Sequence, residues 1–159
     1  MIGLLQRVTQ AAVHVDGECL GRIGPGLLVL IGVERQDTEA QAERLLERLL
    51  GYRVFENAQG RMERSLRDTM GALLLIPQFT LAADTRKGTR ASFTPAAPPR
   101  MGAALFEYLL QRAHCEHATV AAGRFGAHMQ VSLVNDGPVT FWLRASPAAA
   151  GERSATPTT

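Results

Sequence analysis

Val131-Ser-Leu-Val-Asn-Asp-Gly-Pro-Val-Thr-Phe-Trp-Leu143 is the stretch whose reading decides the fold. Two β-rich apolar runs, 131–134 and 139–143, flank Asn135-Asp136-Gly137-Pro138, so they read as strands joined by a tight connection. Gly137 can take a positive φ, Pro138 fixes its own φ, and a Gly-Pro bond is where a cis peptide costs least. Such a link is either an ordinary hairpin turn or a rigid piece of main chain that aims two carbonyl oxygens at a ligand.

Working back to the start, residues 2–8 read as a first strand and 11–15 as its extension. Asp16-Gly17 is a strong hairpin signal, with 18–23 as the return strand. Gly24-Pro25-Gly26 then turns into Leu27-Leu-Val-Leu-Ile-Gly-Val33, which lacks alternation and so reads as buried on both faces. The opening is expected to be an antiparallel meander. Thr38 and Gln41 have capping-box spacing. Ala42, Leu45, Leu46, Leu49 and Leu50 then fall on one helical face, and Gly51 marks the stop. The other face carries Glu43, Arg44, Glu47 and Arg48, a solvated surface.

Residues 52–55 read as a short strand and 57–60 as a turn, while 61–70 show no clear pattern. Gly71-Ala-Leu-Leu-Leu-Ile76 is a buried strand running into Pro77-Gln78-Phe79-Thr80-Leu81. The aperiodic segment 82–99 holds Arg86, Lys87 and Arg90 against Asp84. Its length suggests a functional loop, and its cations suit phosphates. A second helix begins at Pro98-Pro99, with Met101, Ala104, Leu105, Tyr108 and Leu109 as its stripe. Strands follow at 119–122 and 127–134. The fold class is therefore α+β: mainly antiparallel, barrel-like β-layers with two principal helices on one side. One domain spans 1–144, and 145–159 reads as a disordered tail.

A net charge of +2 permits an anionic partner without requiring one. Cys19 and Cys115 make no disulfide framework, and residues 1–7 lack the pattern of a signal peptide. No apolar run reaches the length of a membrane span, so a cytoplasmic protein is expected. His114 and His117, beside Cys115 and Glu116, have i, i+3 spacing, but no second cluster completes a zinc set, so a structural role is favoured and neither metal nor cofactor is expected. Thr80 and Thr140 are hydroxyls at strand ends without a neighbouring base in sequence, which leaves a Ser/His/Asp-type triad unsupported.

Pro77-Gln-Phe-Thr-Leu-Ala-Ala-Asp-Thr85 and Asn135-Asp-Gly-Pro-Val-Thr140 resemble the two signature motifs of the D-aminoacyl-tRNA deacylases. Gln6-Arg7-Val8, Gly26 to Val33, Leu49 to Phe55, Gly123-Arg-Phe-Gly126 and Met129 to Leu143 also fit, so the resemblance covers the chain up to about Leu143. It implies a homodimer in which Gln78, Phe79 and Thr80 of one subunit face a cis Gly137-Pro138 segment of the other. Arg7 would brace that segment, with Asn135 and Thr140 supporting it. It further implies hydrolysis of the ester between a D-amino acid and the terminal adenosine of tRNA, with glycine mischarged on alanine tRNA also accepted. Arg86, Lys87 and Arg90 would touch the tRNA.

Two departures stand out. Members usually carry Ser where this chain has Pro77, and Pro-Gln also begins the motif of a sister family that removes L-alanine from threonine tRNA. Met62-Glu63-Arg64 replaces a common Met-Asn. A non-catalytic nucleic-acid-binding module is the reading from another class.

Overall fold

The computed structural model describes residues 1–147. Its spine is β1 (Ile2–Val15), one unbroken strand where the sequence suggests two segments. Asp16 and Gly17 take φ of 50° and 83°, the conformation that a two-residue hairpin turn requires. The return is β2 (Glu18–Ile23) and β3 (Gly26–Gly32). Both pair antiparallel with β1 and stay nearly in one register, from Val15 opposite Glu18, through Ala11 opposite Ile23 and Val8 opposite Gly26, to Ile2 opposite Gly32. The expected meander is therefore a single long hairpin, because Gly24-Pro25 bends the returning strand without reversing it.

β3 pairs parallel with β6 (Ala72–Pro77), which pairs parallel with β7 (Val120–Ala122). These parallel pairs carry no local turn signal. The approach of β3 to β6 is close: a Cβ on Gly26 would lie 1.9 Å from the Ala72 carbonyl oxygen. β2 curls over the far end of the sheet, where a Cβ on Gly21 would come within 3.1 Å of Ala121 Cβ. A nearly closed mixed sheet results, with antiparallel pairs in the majority.

Leu27, Val29, Leu73 and Leu75 face one layer with Leu45, Leu46, Leu49, Leu105, Phe106 and Leu109. Those last residues belong to α1 (Glu39–Gly51) and α3 (Pro99–Glu116), the two principal helices on one side of the sheet. Leu28, Leu74 and Ile76 face the opposite core with Val8, Ala11 and Val13. Alternation between two cores explains why these strands read as unbroken apolar runs. Thr38 N–H donates to Gln41 Oε1 at 2.9 Å, the reciprocal arm of a capping box, and Gly51 is the last helical residue rather than a left-handed cap. The buried stripe of α3 is Gly102, Leu105, Phe106, Leu109 and Ala113, rotated from the expected one, with Ala104 exposed.

The patternless 61–70 segment resolves into β5 (Met62–Arg64), paired with β4 (Phe55–Glu56), and a one-turn helix α2 (Leu66–Thr69). Ser65 caps α2, accepting from Asp68 N–H at 3.3 Å while Asp68 Oδ2 accepts from Ser65 N–H at 2.7 Å. His117 is buried at the end of α3, its Nε2 2.6 Å from the Gly71 carbonyl.

The final strand, β8 (Gln130–Arg144), pairs antiparallel with the other edge of β1 along nearly its full length. It corrects the two-strand reading of 131–143. Val8 pairs with Asn135 and Gln6 with Thr140, so residues 136–139 bulge from a strand that keeps its direction. Ala145 follows, buried, its N–H donating to Met1 O at 2.9 Å, and its carbonyl accepts from the Met1 ammonium at 2.7 Å. Of the rest of the segment read as a tail, Ser146 and Pro147 are exposed, and 148–159 lie outside the described residues.

Candidate active site

Arg7 organises the bulge in β8. Its side chain points to the helix-bearing face and is 9% exposed. Nε donates to the Asp136 carbonyl at 2.9 Å and Nη1 donates to the Val54 carbonyl at 2.6 Å. Asp136 Oδ2 lies 3.4 Å from Nε and Glu56 Oε1 4.0 Å from Nη2. A planar guanidinium suits this task because it presents several donors in fixed directions. Its anchor, Val54, precedes β4, so the small β4–β5 hairpin holds the arginine that holds the bulge. Sequence reasoning missed Val54, since only its carbonyl participates and a carbonyl leaves no sequence signal.

Asn135 closes the bulge from the other side. Val139 N–H donates to Asn135 Oδ1 at 2.7 Å, and Asn135 Nδ2 donates to Thr140 Oγ1 at 2.9 Å and to Val139 O at 3.3 Å. The side-chain amide thus bridges the four residues that β1 cannot pair. Between the two clamps, Gly137 has φ of 137°, and the Gly137–Pro138 peptide is cis. Both residues are exposed.

The second motif caps β6. Gln78 N–H donates to the Ile31 carbonyl at 2.7 Å, then residues Phe79–Ala82 form a 3-10 turn. The first bond of that turn is Leu81 N–H to Gln78 O at 3.2 Å, so the amides of Phe79 and Thr80 precede it. Phe79 and Thr80 are exposed. Gln78 Nε2 donates to Thr80 Oγ1. A side-chain amide is not a base, so this contact orients the hydroxyl without activating it.

The basic loop is tied at its neck. Asp84 and Ser92 exchange two backbone bonds of 2.8 and 3.0 Å. Arg86 turns back on Asp84, Nε to Oδ1 at 2.9 Å and Nη2 to Oδ2 at 2.6 Å, while its own N–H reaches Oδ1 at 3.0 Å. Lys87 and Arg90 are exposed and, among the described residues, make no ion pair. The Arg86 side chain and N–H hold the Asp84 carboxyl down at about 2, below its ordinary 3.8. A depressed carboxylate contributes above its ordinary value and loses that contribution as pH falls through the lowered one. The Asp84–Arg86 pair is therefore expected to persist down to about pH 2. Carbon-13 NMR of the Asp84 carboxyl checks it: Arg86→Ala should move the midpoint up toward 3.8.

Within one chain the two motifs stay apart. Pro77 pairs with Ile31, Ile31 with Gly3, and Gly3 with Leu143, so Gln78 sits near the Leu143 end of β8. Gly137 lies near Arg7, further along β1. Three strand spacings across and the step from Gly3 to Arg7 along give a separation on the order of 20 Å. Arg7, Asn135, Gly137, Pro138 and Thr140 form one cluster; Gln78, Phe79 and Thr80 form another, beside the loop of Arg86, Lys87 and Arg90. A cleft of about 680 Å³ lined by Gln10, His14, Arg22 and Ser132 belongs to neither. Among the described residues no group of three metal-ligating side chains occurs, and no helix is long and apolar enough to cross a membrane.

A sequence model of the family described as D-Tyr-tRNA(Tyr) deacylase matches residues 4–144. The chain belongs to this family. Within it, the chain is 70% identical over 147 residues to the D-aminoacyl-tRNA deacylase of Thioalkalivibrio sulfidiphilus, covering 92% of this chain and 99% of the relative. It is 66% identical over 148 residues to the deacylase of Nitrosococcus oceani, covering 93% and 96%. A solved structure named c-Myc DNA Unwinding Element Binding Protein superposes with a TM-score of 0.88 at 36% identity, covering 93% of this chain and all of that one. A probable eukaryotic D-amino acid tRNA deacylase shares the fold, with a TM-score of 0.79 at 18% identity over 89% and 97%.

Proposed function

We propose that this protein hydrolyses the ester of D-aminoacyl-tRNA as a homodimer whose sites are each built from both chains. The observation that carries the shared site is the separation of the two exposed motifs within one chain. Neither cluster holds both a wall and a set of unused amides, and a second copy would supply the missing half. β8 has no partner on its outer edge among the described residues, and Val131, Val134 and Trp142 are exposed along it, which supports pairing there.

Chirality can then be tested by shape. A main-chain wall at Gly137-Pro138 leaves room for hydrogen on one side of Cα and none for a side chain, so L-residues are refused whatever their chemistry. Glycine passes, which extends the reading to glycine on alanine tRNA. Main-chain atoms held by Arg7 and Asn135 cannot rotate away as a side chain would. The amides of Phe79 and Thr80 would stabilise the developing oxyanion, worth a few kcal/mol in comparable sites. Attack comes from water aided by the ribose 2′-hydroxyl, since among the described residues the side-chain hydrogen bond of the Thr80 hydroxyl is to the Gln78 amide, which is not a base. Lys87 and Arg90 would meet phosphates, and with Arg86 turned onto Asp84 they carry the larger share.

Thr80→Ala is accordingly expected to retain activity within roughly tenfold, whereas removing a true nucleophile costs on the order of 10⁶. An acyl group found on Thr80 by mass spectrometry would overturn this mechanism. The whole reading is tested by hydrolysis of D- against L-tyrosyl-tRNA, with fast release expected only for the D form. Pro77, where a Ser is usual, favours a second reading as the sister activity on L-alanyl-tRNA(Thr). Including that substrate in the same assay separates the two.

A further inference from the structure

Phe79 and Phe93 meet in front of the β6 cap, ring centroids 5.1 Å apart and planes tilted by 48°. They are 55% and 45% exposed, so each large apolar face forgoes much of the burial that normally places phenylalanine inside. Two touching half-exposed rings form a contiguous patch rather than a scattered exposure. Phe93 is not a loose side chain on a loose loop. Its neighbour Ser92 is bonded to Asp84 in both directions, and the Phe93 carbonyl accepts from Ala96 N–H at 3.1 Å. Beyond it, Thr94 and Pro95 carbonyls accept from Arg35 Nε at 3.1 Å and Arg35 N–H at 2.9 Å. Ties on both sides fix where the ring stands. Between Asp84 and Ser92 the loop presents Lys87 and Arg90, exposed and without ion-pair partners among the described residues.

A fixed aromatic face at the neck of a loop that carries exposed cations is a combination that grips single-stranded nucleic acid: rings take bases by stacking, cations take phosphates. We infer that Phe79 and Phe93 form a stacking platform for one unpaired base of the 3′ end of the RNA substrate. The inference rests on the deacylase reading for the identity of that RNA. It goes beyond that reading in assigning side-chain recognition of a base to Phe93, a residue outside both motifs. The placement is consistent with the chemistry, because Phe79 also supplies one of the amides proposed to face the ester, and the base lies on the same or an adjoining nucleotide. A ring pair serving only as a pocket for the amino-acid side chain would not need the cations beside it.

The test uses an uncharged RNA hairpin with a single-stranded 3′ end, so its result does not depend on catalysis. Binding is followed by fluorescence anisotropy at fixed low salt for the full chain and for Phe93→Ala, Phe93→Tyr and Phe93→Leu. Loss of one stacked base predicts affinity lower by about 5- to 150-fold for Phe93→Ala and Phe93→Leu, with Phe93→Tyr close to the parent. Removing the base at each of the last three nucleotides in turn should weaken the parent at one position by a similar factor. At that position Phe93→Ala should cause no further loss. Lys87→Ala, a phosphate contact, should weaken every one of these hairpins alike. Unchanged affinity in Phe93→Ala, a Phe93→Leu variant as good as the parent, or losses that simply add at all three positions would overturn the platform. Thermal melting of Phe93→Ala and the behaviour of Phe93→Tyr separate misfolding from lost stacking. D-tyrosyl-tRNA hydrolysis is measured alongside: if it is absent while the coupling persists, the deacylase reading falls and the platform stands.

Discussion

Gly137→Ala is expected to cut the rate of D-tyrosyl-tRNA hydrolysis by on the order of 100-fold, the scale of a misplacement of about 1 Å at a reacting centre. The added Cβ would lie 2.7 Å from Val139 Cγ2, 3.0 Å from Val139 N and 3.2 Å from Arg7 Nη2. None of these neighbours can retreat cheaply. Val139 N–H is held by Asn135, and the Arg7 guanidinium is fixed by the Val54 and Asp136 carbonyls. At φ of 137° an alanine is also strained in its own backbone, a cost of about 1–3 kcal/mol. The bulge must shift, and the proposed wall shifts with it. Two readouts distinguish a moved wall from a weakened fold. Thermal melting reports stability, while the ratio of D- to L-tyrosyl-tRNA hydrolysis reports shape, and the ratio should drop even well below the melting temperature. A Gly137→Ala protein with the parent's rate and ratio would remove this segment from the site.

Arg7→Leu should be as damaging by a different route. Leucine fills part of the space yet donates nothing, leaving the Val54 and Asp136 carbonyls without their donor. The Val54 carbonyl is the buried one of the two; an unsatisfied buried acceptor costs about 1–3 kcal/mol, and urea unfolding should show a loss of that size. Activity should fall further than stability accounts for, because the link from the β4–β5 hairpin to the bulge is cut. Arg7→Lys tests the geometry: a single ammonium cannot reproduce the two directed bonds, and its activity should fall between those of the parent and Arg7→Leu. Parent-like hydrolysis by Arg7→Leu would show that the bulge positions itself.

Elements whose cause is local were legible from sequence. Asp16-Gly17 made its hairpin, Ala42 to Leu50 made the buried face of α1, and the unbroken run from Leu27 was buried on both faces. What failed was decided by partners far along the chain. Gly24-Pro25 looks like a reversal until β1 is seen holding β2 and β3 in nearly one register. Asn135-Asp136-Gly137-Pro138 has the composition of a turn, and becomes a bulge because β1 continues past it on one side. The 61–70 segment hides a cap, Ser65, inside polar sequence. The rotation of the α3 stripe reflects which face meets α1, a choice several apolar residues leave open. Of the candidate site, the two motif segments were picked out by resemblance. The Val54 anchor and the tying of Arg86 to Asp84 depend on three-dimensional approach. Phe93 had one faint signal, an aromatic set in an otherwise small and polar loop.

The unequal loading of β1 has a consequence for how the chain is made. On a ribosome adding roughly 5–20 residues per second, the hairpin of residues 2–32 emerges and can zip early. The strand that completes the other side of β1 follows several seconds later, after both principal helices. Throughout that interval a nascent polypeptide carries one long open edge, an invitation to mispairing with its neighbours on a polysome. Pulse-labelled synthesis without chaperones should therefore yield more aggregate from messages stalled before residue 130 than from messages read through.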